Sequence, residues 1–302
     1  MWKMAAYAHS FANLDALKQM GFKYVSLHPM LFNSPQSKPF EMGGIPSEET
    51  VGRVKDALDR TGLEPVDLQT FGAWGLVGCS GIIGQTPASP SDPAYERMRE
   101  SGVQIFVKLV EICKALGCDQ ITGELGGSPI YHLDHEAAWT KSVQQLRPVL
   151  RKENVKLSCL PHPGDFLEES NPVVDMIRRA KCKEVGYLYC IPHTFVLAGR
   201  YDADVQAMIE YAEDMLLGVQ LADSLKPIQT WLYQHREINK VHSHLLPGKG
   251  MVDIKAALTT LKKIDYDGPL ILIPYRYGMY PMNFLDLISE SKSIVEKLAQ
   301  DI

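Results

Sequence analysis

The sequence predicts an α/β protein folded as a single closed barrel, (β/α)8. Two observations lead there. Eight short apolar runs alternate along the chain with eight longer segments whose apolar residues recur at i, i+3 and i+4. Eight βα units in one chain favour a closed parallel sheet over an open one. Length alone would allow two domains, but α/β barrels of about this size commonly form one. No linker or low-complexity segment interrupts the alternation, so residues 1–302 read as one domain.

The expected strands are Lys3–Tyr7, Lys23–Leu27, Glu64–Gln69, Gln120–Gly123, Val155–Cys159, Glu184–Tyr189, Leu216–Leu221 and Pro269–Ile273. The helices expected after them span 12–20, 47–61, 92–116, 135–153, 171–181, 203–213, 253–263 and 283–300. Val103, Phe106, Val107 and Val110 show the helical spacing in the third. Gly21, Gly62, Gly117 and Gly186 fall between a helix and the next strand, where a C-cap glycine is common. Ser47 precedes a helix with Glu48 and Glu49 in its first turn, which suits the helix dipole. Asn171-Pro172 reads as an N-cap followed by proline at the first helical position. Two long loops, 28–46 and 70–92, follow the second and third strands. In this TIM-barrel architecture such loops build the active-site face, so they read as a substrate rim or as surface decoration.

Composition narrows the function. The formal net charge is −5, from 31 basic and 36 acidic residues, which argues against nucleic acid or an anionic membrane as the main partner. No stretch approaches the ~20 apolar residues of a membrane span. No apolar run follows a basic N-terminal segment, so no signal peptide is expected. The six cysteines (79, 113, 118, 159, 182 and 190) form no CxxC pair and read as reduced thiols of a cytoplasmic protein. Lys249 lies in Pro-Gly-Lys-Gly, but no phosphate-binding glycine motif follows a strand, so no nucleotide cofactor is inferred.

Chemistry in this fold sits just past the strand ends. The fifth strand runs into Leu160-Pro161-His162-Pro163-Gly164-Asp165, the sixth into Cys190-Ile191-Pro192-His193, and the seventh into Gln220-Leu221-Ala222-Asp223. A Leu246-Pro247-Gly248-Lys249-Gly250 turn precedes the last helix, and Gly268-Pro269 opens the eighth strand. Glu124 ends the fourth strand, in Thr122-Gly123-Glu124-Leu125-Gly126-Gly127. These segments resemble the xylose isomerase-like TIM barrels, specifically the sugar phosphate isomerase/epimerase group, over nearly the whole chain. The group's typical strand ends are E-x-H, D-x-x-H, H-x-x-D and a final G-P-x-x-x-E. The resemblance implies a divalent metal held by the first E, first D, first H and final E. Here those four positions hold Leu160, Cys190, Gln220 and Ile273, while His162, His193 and Asp223 match the accompanying residues.

Leucine and isoleucine offer no lone pair, and Mg²⁺ or Mn²⁺ wants carboxylate oxygens, so no metal is assigned to the family position. Cys190, His193 and Glu124 have zinc-type donors, but their spacing does not single them out. What remains is an acid/base set: His162 and His193 at neighbouring strand ends, with Glu124 to raise a pKa or fix a tautomer. The other reading of both histidines is structural, bonded to strand-end backbone. Further substrate-binding candidates are His28, Gln69, Gln220, Asp223, Tyr275 and Arg276, the last as a guanidinium fork for a carboxylate or phosphate or as a rim ion pair. Phe71, Trp74, Tyr277 and Tyr280 would stack on a ring or pack between loops, and Trp231-Leu232-Tyr233 would stack there or mark an interface. His242 and His244 read as exposed loop residues.

The expected function is proton transfer on a sugar, polyol or keto-glycoside derivative: isomerisation, epimerisation or β-elimination, without a metal. The alternative is an inactive relative that binds sugar or supports an active paralogue. A second copy or a partner subunit is left open by the sequence.

Overall fold

The computed structural model describes residues 2–33, 45–70, 76–77, 93–127, 134–195, 204–225, 243–275 and 283–302. Its strands are β1 (Lys3–Ala8), β2 (Tyr24–Leu27), β3 (Glu64–Thr70), β4 (Gln120–Glu124), β5 (Lys156–Leu160), β6 (Val185–Cys190), β7 (Leu216–Leu221) and β8 (Pro269–Leu272). They hydrogen-bond in chain order into one closed barrel, and every neighbour is parallel. Closure is made by β1 against β8, with Ala5 opposite Ile271. The helices are α1 (Phe11–Gln19), α2 (Glu48–Thr61), α3 (Pro93–Ala115), α4 (His135–Glu153), α5 (Ser170–Ala180), α6 (Ile191–Phe195), α7 (Val205–Ala212), α8 (Ile254–Lys263) and α9 (Phe284–Gln300). None of those described is long and apolar enough to cross a membrane.

Strand alternation sorts the core into two layers. In β1, Ala5 and Tyr7 face the barrel interior while Ala6 and Ala8 join the layer between sheet and helices. In β6, Leu188 and Cys190 point inward while Tyr187 and Tyr189 point outward. In β8, Ile271 is inward and Leu270 and Leu272 are outward. A short strand buried on both faces needs such continuous apolar runs, which is why the runs are legible in the sequence.

Most expected boundaries hold within one residue, and the caps explain why. Ser47 accepts a hydrogen bond from Thr50 N and starts α2. Gly21, Gly62 and Gly117 take positive φ (77°, 65° and 73°), the left-handed conformation that ends a helix at low steric cost.

Two expectations are corrected. Gly186 is not a cap: it lies within β6, opposite Ser158, and the left-handed residue closing α5 is Lys181 at φ 51°. Asn171 is not the N-cap of α5, which begins at Ser170 after Glu169. Pro172 therefore sits at the third helical position, where its missing N–H is one that no intrahelical partner would have used. Among the described residues three elements were not expected: 3-10 turns at Pro29–Phe32 and Glu213–Met215 and the single-turn α6. The Pro29–Phe32 turn and α6 arise at strand ends, where Pro29 and Pro192 supply a helical φ in runs too short for periodicity to register.

Gly186 is needed because β7 arrives against it. A Cβ there would stand 2.5 Å from Leu217 Cγ and 2.6 Å from the Met215 carbonyl oxygen. The carbonyl belongs to the turn that feeds β7 and cannot swing aside as a side chain would. Gly186→Ala is expected to destabilise the barrel by about 3 kcal/mol, as overpacking against backbone does. Urea unfolding of the two proteins measures it, and equal midpoints would show that the entry to β7 yields.

Candidate functional site

The C-terminal ends of the strands carry a row of rings. His162 follows β5, His193 lies in α6 after β6, His244 follows β7 and Tyr275 follows β8. Their centroids are spaced 4.6 Å (His162–His193), 5.3 Å (His193–His244) and 5.1 Å (His244–Tyr275), each pair close to edge-on. Tyr275 continues the row to Tyr7 and His9 of the first strand end, and His9 lies 4.2 Å from His28 after β2. The row thus visits six consecutive strand ends around the barrel.

Three of these histidines are oriented by a main-chain oxygen. His162 Nδ1 is 2.9 Å from the Pro163 oxygen, His193 Nδ1 is 3.1 Å from the Pro161 oxygen, and His244 Nδ1 is 3.0 Å from the Ile273 oxygen. A carbonyl only accepts, so Nδ1 carries the proton in all three and the neutral rings hold their lone pair at Nε2. His162 is partly exposed, whereas His193 and His244 are buried. The expectation that His244 is an exposed loop residue is therefore corrected. It is locked between strand ends, because its oxygen accepts from Tyr275 N and the next residue, Leu245, exchanges both backbone bonds with Asp223.

Asp223 is fully buried and its two oxygens collect backbone N–H groups. Oδ1 accepts from Ser224 (2.8 Å) and Val252 (2.9 Å), and Oδ2 from Gly248 (2.9 Å) and Gly250 (2.8 Å). A Cβ on Gly250 would collide with Asp223 Oδ1 and the Ser224 oxygen, so only glycine admits this approach. The glycine-rich turn is folded around the carboxylate.

Gln69 and Gln220 lie deeper, inside the barrel. Gln220 Nε2 donates to the Tyr7 hydroxyl, which donates to Gln69 Oε1 at 2.7 Å. Gln69 Nε2 then reaches Ser26 Oγ and Asp67 Oδ2, and Thr122 donates to the same carboxylate oxygen at 2.7 Å. Burial pushes the Asp67 carboxyl above its ordinary value despite lowering hydrogen bonds from Ser26, Thr122 and Gln69. Leu160, Cys190, Ala222 and Ile273 belong with Tyr7 to one buried apolar cluster inside the barrel, below the ring row.

Glu124 ends β4 partly exposed, and its charge is felt by two neighbours. Asp165 is held well above the usual carboxylate range, first by burial and then by Glu124. The Cys190 thiol is pushed up by burial and by Glu124, against a lowering hydrogen bond from the His193 backbone. Asp165 Oδ2 accepts from His162 N at 2.9 Å and so fixes the turn that carries that ring. Arg276, Phe71, Trp74, Trp231-Leu232-Tyr233, His242, Tyr277 and Tyr280 fall outside the described residues. Largely opposite this face, around the strand starts, a cavity of about 830 Å³ is lined by Trp2, Phe22, Tyr24 and Tyr266 among others.

Sequence reasoning missed Tyr7 and His9. The strand-end criterion that picked His162 would have found His9, two residues past the expected end of the first strand. Burial lowers His9 to a pKa of about 4. Burial, and then His9, lowers His28 to about 3. His28 also caps the Pro29–Phe32 turn, its Nδ1 accepting from Met30 N at 3.3 Å. Both rings bind fewer protons folded than unfolded, so the stability they permit is complete above their ordinary value of 6.5 and is lost as pH falls toward 4. The melting temperature is expected to drop through that window. His28→Asn, which keeps an acceptor for Met30 N, should flatten the drop by about half. An unchanged slope would mean that other groups drive acid unfolding.

The profile of a family described as xylose isomerase-like TIM barrel matches residues 14–294. Comparison of the sequence with curated proteins gives no match. Among solved structures, a xylose isomerase-like TIM barrel/4-hydroxyphenylpyruvate dioxygenase fusion protein superposes with a TM-score of 0.71 at 16% identity, over 99% of this chain and 43% of that one. The chain thus spans less than half of that fusion protein. A 3-keto-D-glucoside 4-epimerase, YcjR, from E. coli gives 0.69 at 13% identity, over 98% of this chain and 100% of the other. A D-tagatose 3-epimerase-like protein gives 0.70 at 15% identity, over 99% and 97%. Identities this low speak for the fold alone. With the family profile running from residue 14 to residue 294, the chain belongs to the xylose isomerase-like TIM barrel family.

Proposed function

We propose that this chain is a sugar isomerase- or epimerase-like enzyme that moves a proton on a carbohydrate-derived carbonyl compound at the C-terminal ends of its strands. The observation that carries the reading is the His162–His193 pair: two rings 4.6 Å apart on neighbouring strand ends, each with Nδ1 pinned by a carbonyl. Their Nε2 atoms are the proton-exchanging ones. His162, the more exposed, abstracts the proton next to the substrate carbonyl, and His193 serves the oxygen. Glu124, at the end of the neighbouring strand β4, is assigned the assisting role. A histidine so placed contributes about 10²- to 10⁴-fold. Structural neighbours described as a 3-keto-D-glucoside 4-epimerase and a D-tagatose 3-epimerase-like protein support a ketose or keto-glycoside as substrate class.

A magnesium or manganese ion at the four positions that the family resemblance implies does not fit these residues. Leu160 and Ile273 have no donor atom and sit in the apolar cluster, and the Gln220 amide is tied to Tyr7. No step is routed through such an ion. The developing oxyanion is met instead by His193 when that ring enters doubly protonated and donates from Nε2, which suits substrates whose carbon acid is already activated, and β-elimination from a keto-glycoside is the least demanding of them. Asp223, Gln69 and Gln220 hold the scaffold. His28 and Tyr275 border the site, and Arg276 is assigned to a carboxylate or phosphate of the substrate. A second reading, ligand binding without turnover, is favoured by the apolar cluster that fills the barrel beneath the rings.

Incubation in D₂O with a panel of ketoses, inososes and 3-keto-glycosides separates the two. Deuterium is expected at the carbon beside the carbonyl, with a rate at least about 100-fold lower in His162→Ala. Saturable binding without deuterium uptake on any member of the panel would replace the enzyme by the binding protein.

A further inference from the structure

We propose that Cys190, His193 and His244 form a binding site for a thiophilic divalent ion, Zn²⁺ by its donor set, with a fourth coordination position open toward the barrel mouth. One ligand atom from each residue lies within 4.8 Å of the other two, and all three residues are buried. A tetrahedral zinc centre separates its sulfur and nitrogen donors by roughly 3.5 Å, so rotamer adjustments of about an ångström close the set.

The backbone has arranged this locally. Cys190 is the last residue of β6 and α6 begins at Ile191, so Cys190 and His193 are three positions apart where the chain enters a helical turn and project to one side. His244 comes from a separate connection, held by the Leu245–Asp223 pair and by Tyr275 N. Both histidines present Nε2 because their Nδ1–H groups are committed to the Pro161 and Ile273 oxygens. This is the outer-shell arrangement by which metal-ligating histidines have their tautomer and orientation set. One thiolate and two imidazoles select Zn²⁺ or Co²⁺ over Mg²⁺ or Mn²⁺, which need oxygen donors.

Binding exchanges a proton for the ion: the Cys190 S–H bond breaks, sulfur bonds to the metal, and one proton leaves to solvent. Glu124, whose charge opposes a bare thiolate, lies close enough to offset the positive charge of the bound ion. The inference stands on geometry and not on the proton-transfer reading. When occupied, the site takes the lone pair of His193 and leaves His162 as the exchanging base.

The test is titration of the chelator-stripped full chain with Co²⁺, followed by optical absorption. One equivalent is expected, with the intense visible bands of tetrahedral Co²⁺, a near-ultraviolet thiolate charge-transfer band and release of about one proton per ion. Zn²⁺ should displace it. Cys190→Ser should remove the charge-transfer band, and His244→Gln should weaken binding by about 100-fold or more. His162→Ala should leave the spectrum intact while abolishing deuterium exchange, so the two proposals fail separately. Absence of a thiolate band in the wild-type protein, or a band unchanged in Cys190→Ser, overturns the site. The wild-type spectrum decides alone if a variant does not fold.

Discussion

The carboxylate of Asp223 is the point on which this end of the barrel depends. Four backbone N–H groups from Ser224, Gly248, Gly250 and Val252 converge on its two oxygens in a buried setting. Each would cost about 1–3 kcal/mol if left without an acceptor there. Their geometry fixes the glycine-rich turn, and the Leu245 pairing that accompanies it fixes His244 beside His193. Removing the carboxylate would loosen the third ring of the row as well as the turn. A residue that a motif comparison places among functional groups thus also holds this part of the rim in place.

The barrel was legible in the sequence because its strands are buried on both faces. Runs such as Met4–Ala8 and Leu216–Leu221 stay apolar or small nearly throughout, and the helices between them keep one apolar stripe. Strand-end reasoning then reached His162, His193 and Glu124, because a parallel barrel brings all its strand ends to one rim. It failed where partners come from different strands. Nothing local to Gln69 or Gln220 announces that Tyr7 binds both, and nothing local to His244 announces burial. Those facts belong to closure of the sheet, which juxtaposes residues 213 positions apart. Gly186 misled for a related reason: its constraint is the approach of Met215 and Leu217 from the neighbouring strand, invisible to a reading of helix ends.

The electrostatic character of the rim follows from burial more than from charge. His9 and His28 are held neutral, Asp165 is raised, and the Cys190 thiol is raised. The described rim is therefore a dipolar surface of ring N–H groups, hydroxyls and lone pairs, with Glu124 as its partly exposed carboxylate. Burial of these groups strengthens each hydrogen bond that the rim makes.

The brace Gln220–Tyr7–Gln69 has an evolutionary consequence. A carboxylate introduced singly at position 160 or 273 would be an unpaired charge within the apolar cluster, costing several kcal/mol. Exchange of Gln220 for a metal-binding side chain would strand the Tyr7 hydroxyl and disturb the polar chain down to Asp67. Each single step toward an oxygen-lined metal centre thus spends a large part of a typical domain's whole stability before any ion can repay it. The interior therefore resists conversion to an oxygen-lined site one substitution at a time, whereas changes along the histidine row leave the brace and the apolar cluster untouched.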